Sequence, residues 1–340
     1  MIMKKKCLCG LDADEILRII EPGGFKFSHA VSIANSIYKK GITDFSKIAG
    51  VPKQLKEELS ENYYSGVCKP VASQVSSDGT IKYLFSSEKS RKFEAVYLHD
   101  NKRYTVCVST QSGCRMGCPF CVTGRYGFYG NLSAGEIVNQ VISLPGAKKV
   151  THVVFMGMGE PMDNLENVLK ACKILTAEWG LAISSRNITV SSVGITPGII
   201  EFLEVSDCNL TVSLHSPFPE ERAIVVPVER KYPVQEIIEI MKIYPLRKKR
   251  RLSLAYVMIG NLNDTDRHLN GLRALLEGTQ IRINLLPYHP LSVDSNTSSS
   301  VERMQYFKHN LVISGISASI RRSRGVDISA ACGLLASGLK

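Results

Sequence analysis

The chain has 340 residues, 44% hydrophobic and 21% charged, with 42 Lys plus Arg against 31 Asp plus Glu and a net charge of +11. Such a chain can bury one large α/β core, alone or with a small appendage, and its basic excess favours a polyanionic partner such as RNA. No apolar run approaches a membrane span, and the start Met1-Ile-Met-Lys-Lys-Lys-Cys-Leu-Cys9 lacks the apolar stretch of a secretory signal. The expectation is a cytoplasmic protein with no membrane partner. In that reducing setting, ten cysteines read as metal ligands or catalysts.

Residues 1–75 are expected to form a small helical accessory domain that contacts RNA. Phe27 to Tyr38 has apolar residues at helical spacing, Gly41 breaks it, and a second helix is expected over Val51 to Leu59. Residues 76–103 read as a β-hairpin or linker extension, because Ile81, Tyr83, Phe85, Ala95 and Tyr97 alternate with polar residues. Residues 104–340 alternate strands and helices. Strands are expected at Thr105–Ser109, His152–Met156, Asn187–Ser191, Leu210–Leu214, Leu252–Met258 and Ile281–Leu286. Helices are expected to start near Ser133, Asn164, Pro197, Pro233, Asp264 and Val301, with Ser133 and Glu136 in a capping-box pattern. Six βα units are too few for a closed eight-fold barrel, so the fold class is α/β, an open, partial (β/α)6 barrel. Its chemistry belongs at the carboxyl ends of the strands. The serine-rich patch Ser292 to Ser300 reads as a loop, and Arg247 to Arg251 as a phosphate clamp or a solvated charge run.

The first expected strand is followed by Cys114-Arg-Met-Gly-Cys118-Pro-Phe-Cys121, three thiols within eight residues. A 4Fe–4S cube normally takes four cysteines, and a structural zinc takes four ligands at wider paired spacings. Three closely spaced thiols favour a cube with one iron left open to a small molecule. The second expected strand leads to Gly157-Met-Gly159-Glu160-Pro161, where glycines admit a close ligand and Glu160 can accept from an ammonium. Ser191, and then Ser213, Leu214 and His215, stand at the next strand ends. Cys107 lies on the first strand. Cys332 lies near the carboxyl terminus after Arg321, Arg322 and Arg324, cations that lower a thiol pKa if close in space.

The cysteine pattern, with Phe120 before the last thiol, resembles the radical S-adenosylmethionine (SAM) signature. With Glu94-Ala-Val-Tyr97, Cys107-Val-Ser-Thr-Gln-Ser-Gly-Cys114, Gly157 to Pro161, Ser213-Leu-His215 and Ala330-Ala-Cys-Gly333, the chain resembles the RlmN/Cfr family of radical SAM RNA adenine methyltransferases from about Phe25 to Leu335, most of all RlmN. The resemblance implies a 4Fe–4S cluster on Cys114, Cys118 and Cys121 and two SAM molecules per turnover. It implies SAM contacts at Gly159, Glu160, Ser191, Ser213, Leu214, His215 and His289, the last standing where the family commonly has Asn in Tyr-Asn-Pro. One SAM methylates Cys332. The second yields a radical that takes hydrogen from that methyl, and the carbon then joins the adenine. Cys107 resolves the adduct through a transient disulfide with Cys332, and Glu94 accepts a proton. The implied substrates are 23S rRNA, in the peptidyl-transferase region, and tRNA next to the anticodon. The implied product is 2-methyladenosine, with C8 methylation of 23S rRNA as the alternative. A reducing donor such as flavodoxin and a monomeric state are expected. A reading of another class is a non-catalytic iron–sulfur RNA-binding protein, in which Cys107 and Cys332 are dispensable. Cys7, Cys9, Cys68, Cys172 and Cys208 match no role, beyond adventitious metal at Cys7 and Cys9 and core packing for Cys172.

Overall fold

The structure is a computed structural model that describes residues 5–87, 90–244, 249–290 and 296–336. The first elements are β1 (Lys6–Cys7), α1 (Ala13–Ile20), α2 (Phe27–Tyr38), α3 (Lys53–Asn62) and β2 (Tyr63–Tyr64). In α2 the buried Ala30, Ile33, Ala34 and Ile37 fall on one stripe, as the helical period requires. Helix α1 is not among the expected helices. Its signal is Asp12-x-x-Glu15: the Asp12 side chain accepts from Glu15 N at 2.8 Å, and Glu15 accepts from Asp12 N at 2.9 Å. This reciprocal cap satisfies two donors that the first turn leaves open.

β3 (Ala72–Val75), β4 (Ile81–Ser86) and β5 (Lys92–Asp100) are antiparallel and continue through β6 (Arg103–Cys107) into a ten-stranded sheet. Next comes a hairpin around the clustered thiols, with β7 (Gln111–Gly113), α4 (Val122–Tyr126) and β8 (Phe128–Asn131). The alternating part follows as α5 (Ala134–Ile142), β9 (His152–Phe155), α6 (Leu165–Thr176), β10 (Ile188–Ser192), α7 (Thr196–Val205), β11 (Asn209–Ser213) and α8 (Pro219–Val225). It ends with α9 (Val234–Ile243), β12 (Leu252–Met258), α10 (Asp266–Leu276), β13 (Arg282–Pro287), α11 (Val301–Ile313) and β14 (Ala318–Ile320). Strands β6, β9, β10, β11, β12, β13 and β14 are parallel neighbours in that order, because each crossover carries at least one helix. All six expected strands are present, and β14 adds a short seventh. β14 and β3 lie at opposite ends of the strand order, so the barrel stays open.

Alternation along the strands gives the sheet two unlike faces. Val106, Val153, Phe155, Val190, Val212 and Leu254 are buried in one core with Ile137, Ile199, Phe202 and Leu272 of the helices. Each such side chain contributes roughly 1.5–3 kcal/mol by leaving water. Many of the residues between them are small or polar. Ser191 pairs with Thr211, Thr211 with Ser253, Ser213 with Ala255, and Asn284 with Ser319. Cys107 shares this polar face, which leaves it open to ligands.

Cys172 is buried on α6, as expected of a core thiol. Of the expected phosphate clamp, Arg247 and Lys248 lie outside the described residues, as do Ser292 to Ser295 of the serine-rich patch. Arg250 is no clamp residue. It is buried and donates to Leu203 O at 2.9 Å and to Ser206 O. Among the described residues no helix is long and apolar enough to cross a membrane.

Candidate active site

The three clustered thiols lie beyond the carboxyl end of β6. The loop is closed by its own backbone: Cys114 N donates to Gly127 O at 2.8 Å, and Cys121 N to Cys118 O at 3.1 Å. Gly113 is required here, since its φ is +76° and a Cβ would lie 1.8 Å from Gly127 O. Cys118 is buried against Val225 and Val226, with Phe120 and Cys121 at the edge of that patch. Burial pushes the Cys114 thiol up to about 12 and raises Cys118 as well, and the neighbouring thiols add to both rises. Sulfurs that repel one another as anions await a cation. Among the described residues, no His, Cys, Asp or Glu groups converge as a single metal ion requires. Zinc would draw each sulfur to about 2.3 Å from one centre. A cube instead offers each thiol its own iron.

Glu160 is buried beside this loop. Its Oε1 accepts from Met162 N at 3.0 Å and its Oε2 from Val193 N at 2.9 Å. The carboxylate therefore joins the segment after β9 to the end of β10. Burial pushes its pKa up to about 7 against those hydrogen bonds. Gln111 accepts from Glu160 N at 2.9 Å and donates to Asp163 Oδ2 at 2.7 Å. Arg115 of the thiol loop pairs with the same Asp163 oxygen at 2.9 Å. Gly159, at φ +98°, lets the two loops touch, because a Cβ there would lie 2.7 Å from Gln111 N.

His215 follows β11 with φ +60° and is buried. Its Nδ1 accepts from Val257 N at 3.0 Å, which puts the ring proton on Nε2. Burial, then the Arg222 charge, lowers its pKa to about 3, so the ring is neutral. Phe120 of the thiol loop meets it edge-on at 4.9 Å. Ser191 and Ser213 are half-buried on the polar face, and Leu214 is buried with its N–H on Ala255 O at 2.9 Å. His289 follows β13, its Nε2 lying 2.7 Å from Ser323 Oγ of the C-terminal segment.

The sequence reading missed Arg222, a fully buried residue of α8. Its Nη2 donates to Val193 O and Ser213 O, both at 2.6 Å, and its Nε to Leu214 O at 3.1 Å. Nη1 pairs with Glu229, which also accepts from Val234 N at 3.0 Å. One guanidinium thus fixes three carbonyls at the ends of β10 and β11, where His215 begins. No local pattern announces this, because the partners come from three separate segments.

The C-terminal loop closes the site. Gly333 O accepts from Val122 N at 2.8 Å, directly after Cys121, and Leu335 O accepts from Thr123 Oγ1 at 2.7 Å. Farther back, Asp327 accepts from Ser76 Oγ at 2.6 Å. Cys332 stands between these anchors. It is exposed to solvent, yet surrounding protein raises its pKa first and Cys121 second. Burial raises the Cys107 thiol and the charge of Cys332 adds to that rise, with no disulfide between the two. The arginines before Cys332 do not lower its pKa. Arg324 pairs with Asp100 at 3.5 Å, Arg321 donates to Asn284 Oδ1 at 3.0 Å, and burial dominates.

Glu94 is also buried, not a solvated carboxylate. It lies 3.5 Å from the buried Lys82 and accepts from Ala336 N at 3.1 Å. The pair ties β4 and β5 to the loop that carries Cys332, and Lys82 is a second residue the sequence reading missed.

Residues 108–272 match the Radical SAM superfamily. The chain is 42% identical to a Parabacteroides distasonis protein named probable dual-specificity RNA methyltransferase RlmN, over 98% of this chain and 97% of that one. It is 37% identical to a Campylobacter concisus protein named dual-specificity RNA methyltransferase RlmN, over 97% and 91%. A crystal structure of a radical SAM methyltransferase from Sphaerobacter thermophilus matches with a TM-score of 0.90 at 36% identity, covering 98% of this chain and all of that one.

Proposed function

Since this chain belongs to the RlmN-type radical SAM RNA methyltransferases, we propose that it methylates C2 of an adenosine, in the peptidyl-transferase region of 23S rRNA and in tRNA next to the anticodon, with Cys332 as the methyl carrier. What supports this reading is the docking of the Cys332 loop on the thiol loop, where Gly333 O accepts from Val122 N at 2.8 Å and Leu335 O from Thr123 Oγ1 at 2.7 Å. Cys114, Cys118 and Cys121 would hold a 4Fe–4S cluster, and Gly159, Glu160, Ser191, Ser213, Leu214 and His215 would hold SAM. When bound, these groups supply an electron, a hydrogen-abstracting radical and the methyl group.

The chain's own residues do the rest. Arg222 and Glu229 hold the ends of β10 and β11 in place, so the SAM-facing edge is set before any ligand arrives. With two backbone bonds and one from the Ser192 side chain, the Glu160 carboxylate keeps acceptor capacity for an ammonium. The neutral His215 offers an Nε2–H donor. Cys332 accepts the methyl and carries it to the adenine. Glu94 takes a proton from the adenine ring, with the Lys82 ammonium supplying its countercharge. Cys107, as its thiolate, attacks the Cys332 sulfur and breaks its bond to carbon; the carbon leaves with the RNA and takes up a proton to become the methyl group, and an S–S bond remains. His289, held by Ser323, would add a further SAM contact. The test is mass spectrometry of RNA digests from cells with and without the gene. The reading expects 2-methyladenosine to appear with the gene. Gain of 8-methyladenosine, or no change, would contradict it.

A further inference from the structure

The amino ends of the same strands gather positive charge that the reaction does not use. A cavity of about 370 Å³ opens there among Ser184, Arg186, Asn187, Lys249, Arg251 and Arg282, within the roughly 300–1,000 Å³ of small-ligand sites. Four of these six residues are cations and none is an acid. Among the described residues, no carboxylate forms an ion pair with any of the four.

The cavity is built rather than left over. Asn209, buried at the start of β11, accepts from Arg251 N at 2.9 Å and donates to Arg186 O at 2.9 Å and Ile188 O at 3.0 Å. Arg251 Nη2 donates to the same Arg186 oxygen at 2.8 Å. The two segments that carry Arg186 and Arg251 are therefore locked together from below. Lys249 holds a left-handed backbone at φ +62°, a conformation that disfavours any residue with a Cβ and that collects at functional sites. Behind the rim, burial and then Arg251 lower the pKa of Arg103. Burial, then Arg103 and Arg251, lower that of Arg321. Guanidinium groups held this close in partial shelter from water repel one another, and an anion relieves that repulsion.

We propose that this cavity binds a phosphate group, gripped by Arg186, Lys249, Arg251 and Arg282. Guanidinium forks match the oxygens of a phosphate in pairs, and Lys249 adds a point charge. Ser184 and Asn187 add neutral donors. A strand of about five residues spans ~16 Å, so a group bound here is well away from the thiols and takes no part in the chemistry there. The phosphate belongs either to a free anion or to the backbone of a bound RNA.

The experiment uses the full chain and the double variant Arg186→Gln/Arg282→Gln, with thermal melts showing whether both are folded. Neither cluster nor SAM is needed, so failure here is separable from failure to methylate. Inorganic phosphate is titrated calorimetrically at low salt, and a tRNA transcript is bound across a salt series. Saturable one-to-one phosphate binding, weakened at least tenfold in the double variant, supports a free-anion site. A silent phosphate titration, with a tRNA salt dependence shallower by about one or two in log–log slope, supports a backbone contact. Arg282→Lys keeps the charge and retains binding in either case. No phosphate binding together with an unchanged salt slope overturns the proposal.

Discussion

One set of seven parallel strands carries opposite chemistry at its two ends. At the carboxyl end stand Cys107, Cys114, Cys118, Cys121 and Cys332, with Glu94 and Glu160. At the amino end stand Arg103, Arg251, Arg282 and, beside them, Arg186 and Lys249. The direction of the βα units accounts for the sorting. Helices begin near the carboxyl ends of the strands, where their partial positive charge favours thiolates and other anions. They finish near the amino ends, where partial negative charge favours cations. The carboxyl end also has room, since the thiol hairpin is inserted between β6 and α5. The amino end is tightened instead, by Asn209 drawing two segments together. A reactive end widened by an inserted hairpin and a binding end drawn together by one buried amide is the lesson of the comparison.

The largest effect expected concerns the thiol loop. Replacing Cys114, Cys118 or Cys121 with Ala should abolish both iron and methylation, whereas Arg282→Gln at the other end should leave about four irons per chain. Metal analysis of anaerobically reconstituted protein reads this directly. Stoichiometric zinc in a colourless protein would break the account of the carboxyl end.

A smaller effect, on stability, concerns Arg222. Arg222→Met strands Glu229 in the interior and leaves three carbonyls without their donor, so it should cost about 3–5 kcal/mol in denaturant unfolding. Replacing Glu229 with Leu as well should recover part of that loss. A variant as stable as the parent would show that the strand ends need no such brace.

Smaller still is a pH effect at His215. The unfolded chain takes up this proton near the ordinary pH 6.5, and the folded chain only near 3. The stability from this group is therefore present above pH 6.5 and is lost as pH falls toward 3. Between pH 7 and 5 the cluster-free protein should lose about 2 kcal/mol relative to His215→Asn, at ~1.4 kcal/mol per unit below 6.5. Equal losses in parent and variant would mean that the ring is not held neutral.

The parallel strands are legible in the sequence because each is a short apolar run followed by a capped helix, as at Ser133 and Glu136. The thiol loop and the Gly157–Pro161 element are legible because their spacing is local. Helix α1 escaped although its Asp12–Glu15 cap is present, because the helix is eight residues long. β14 escaped because three residues make no pattern of their own. Arg222, Lys82 and Asn209 escaped for a deeper reason. Their partners lie on other strands and helices, so only the folded chain shows that these polar groups are buried and satisfied. Arg250 shows the converse, a residue of a charge run that the fold turns inward.

The central claim is that Cys332 carries the methyl and Cys107 releases the product. Each variant is purified from cells and run on a denaturing gel with and without ribonuclease. Cys107→Ala should carry covalently bound RNA that ribonuclease trims away. Cys332→Ala should carry none and should leave its RNA unmethylated. A Cys107→Ala protein free of RNA, alongside a Cys332→Ala protein that still methylates, would contradict the account and return both thiols to the packing of the sheet.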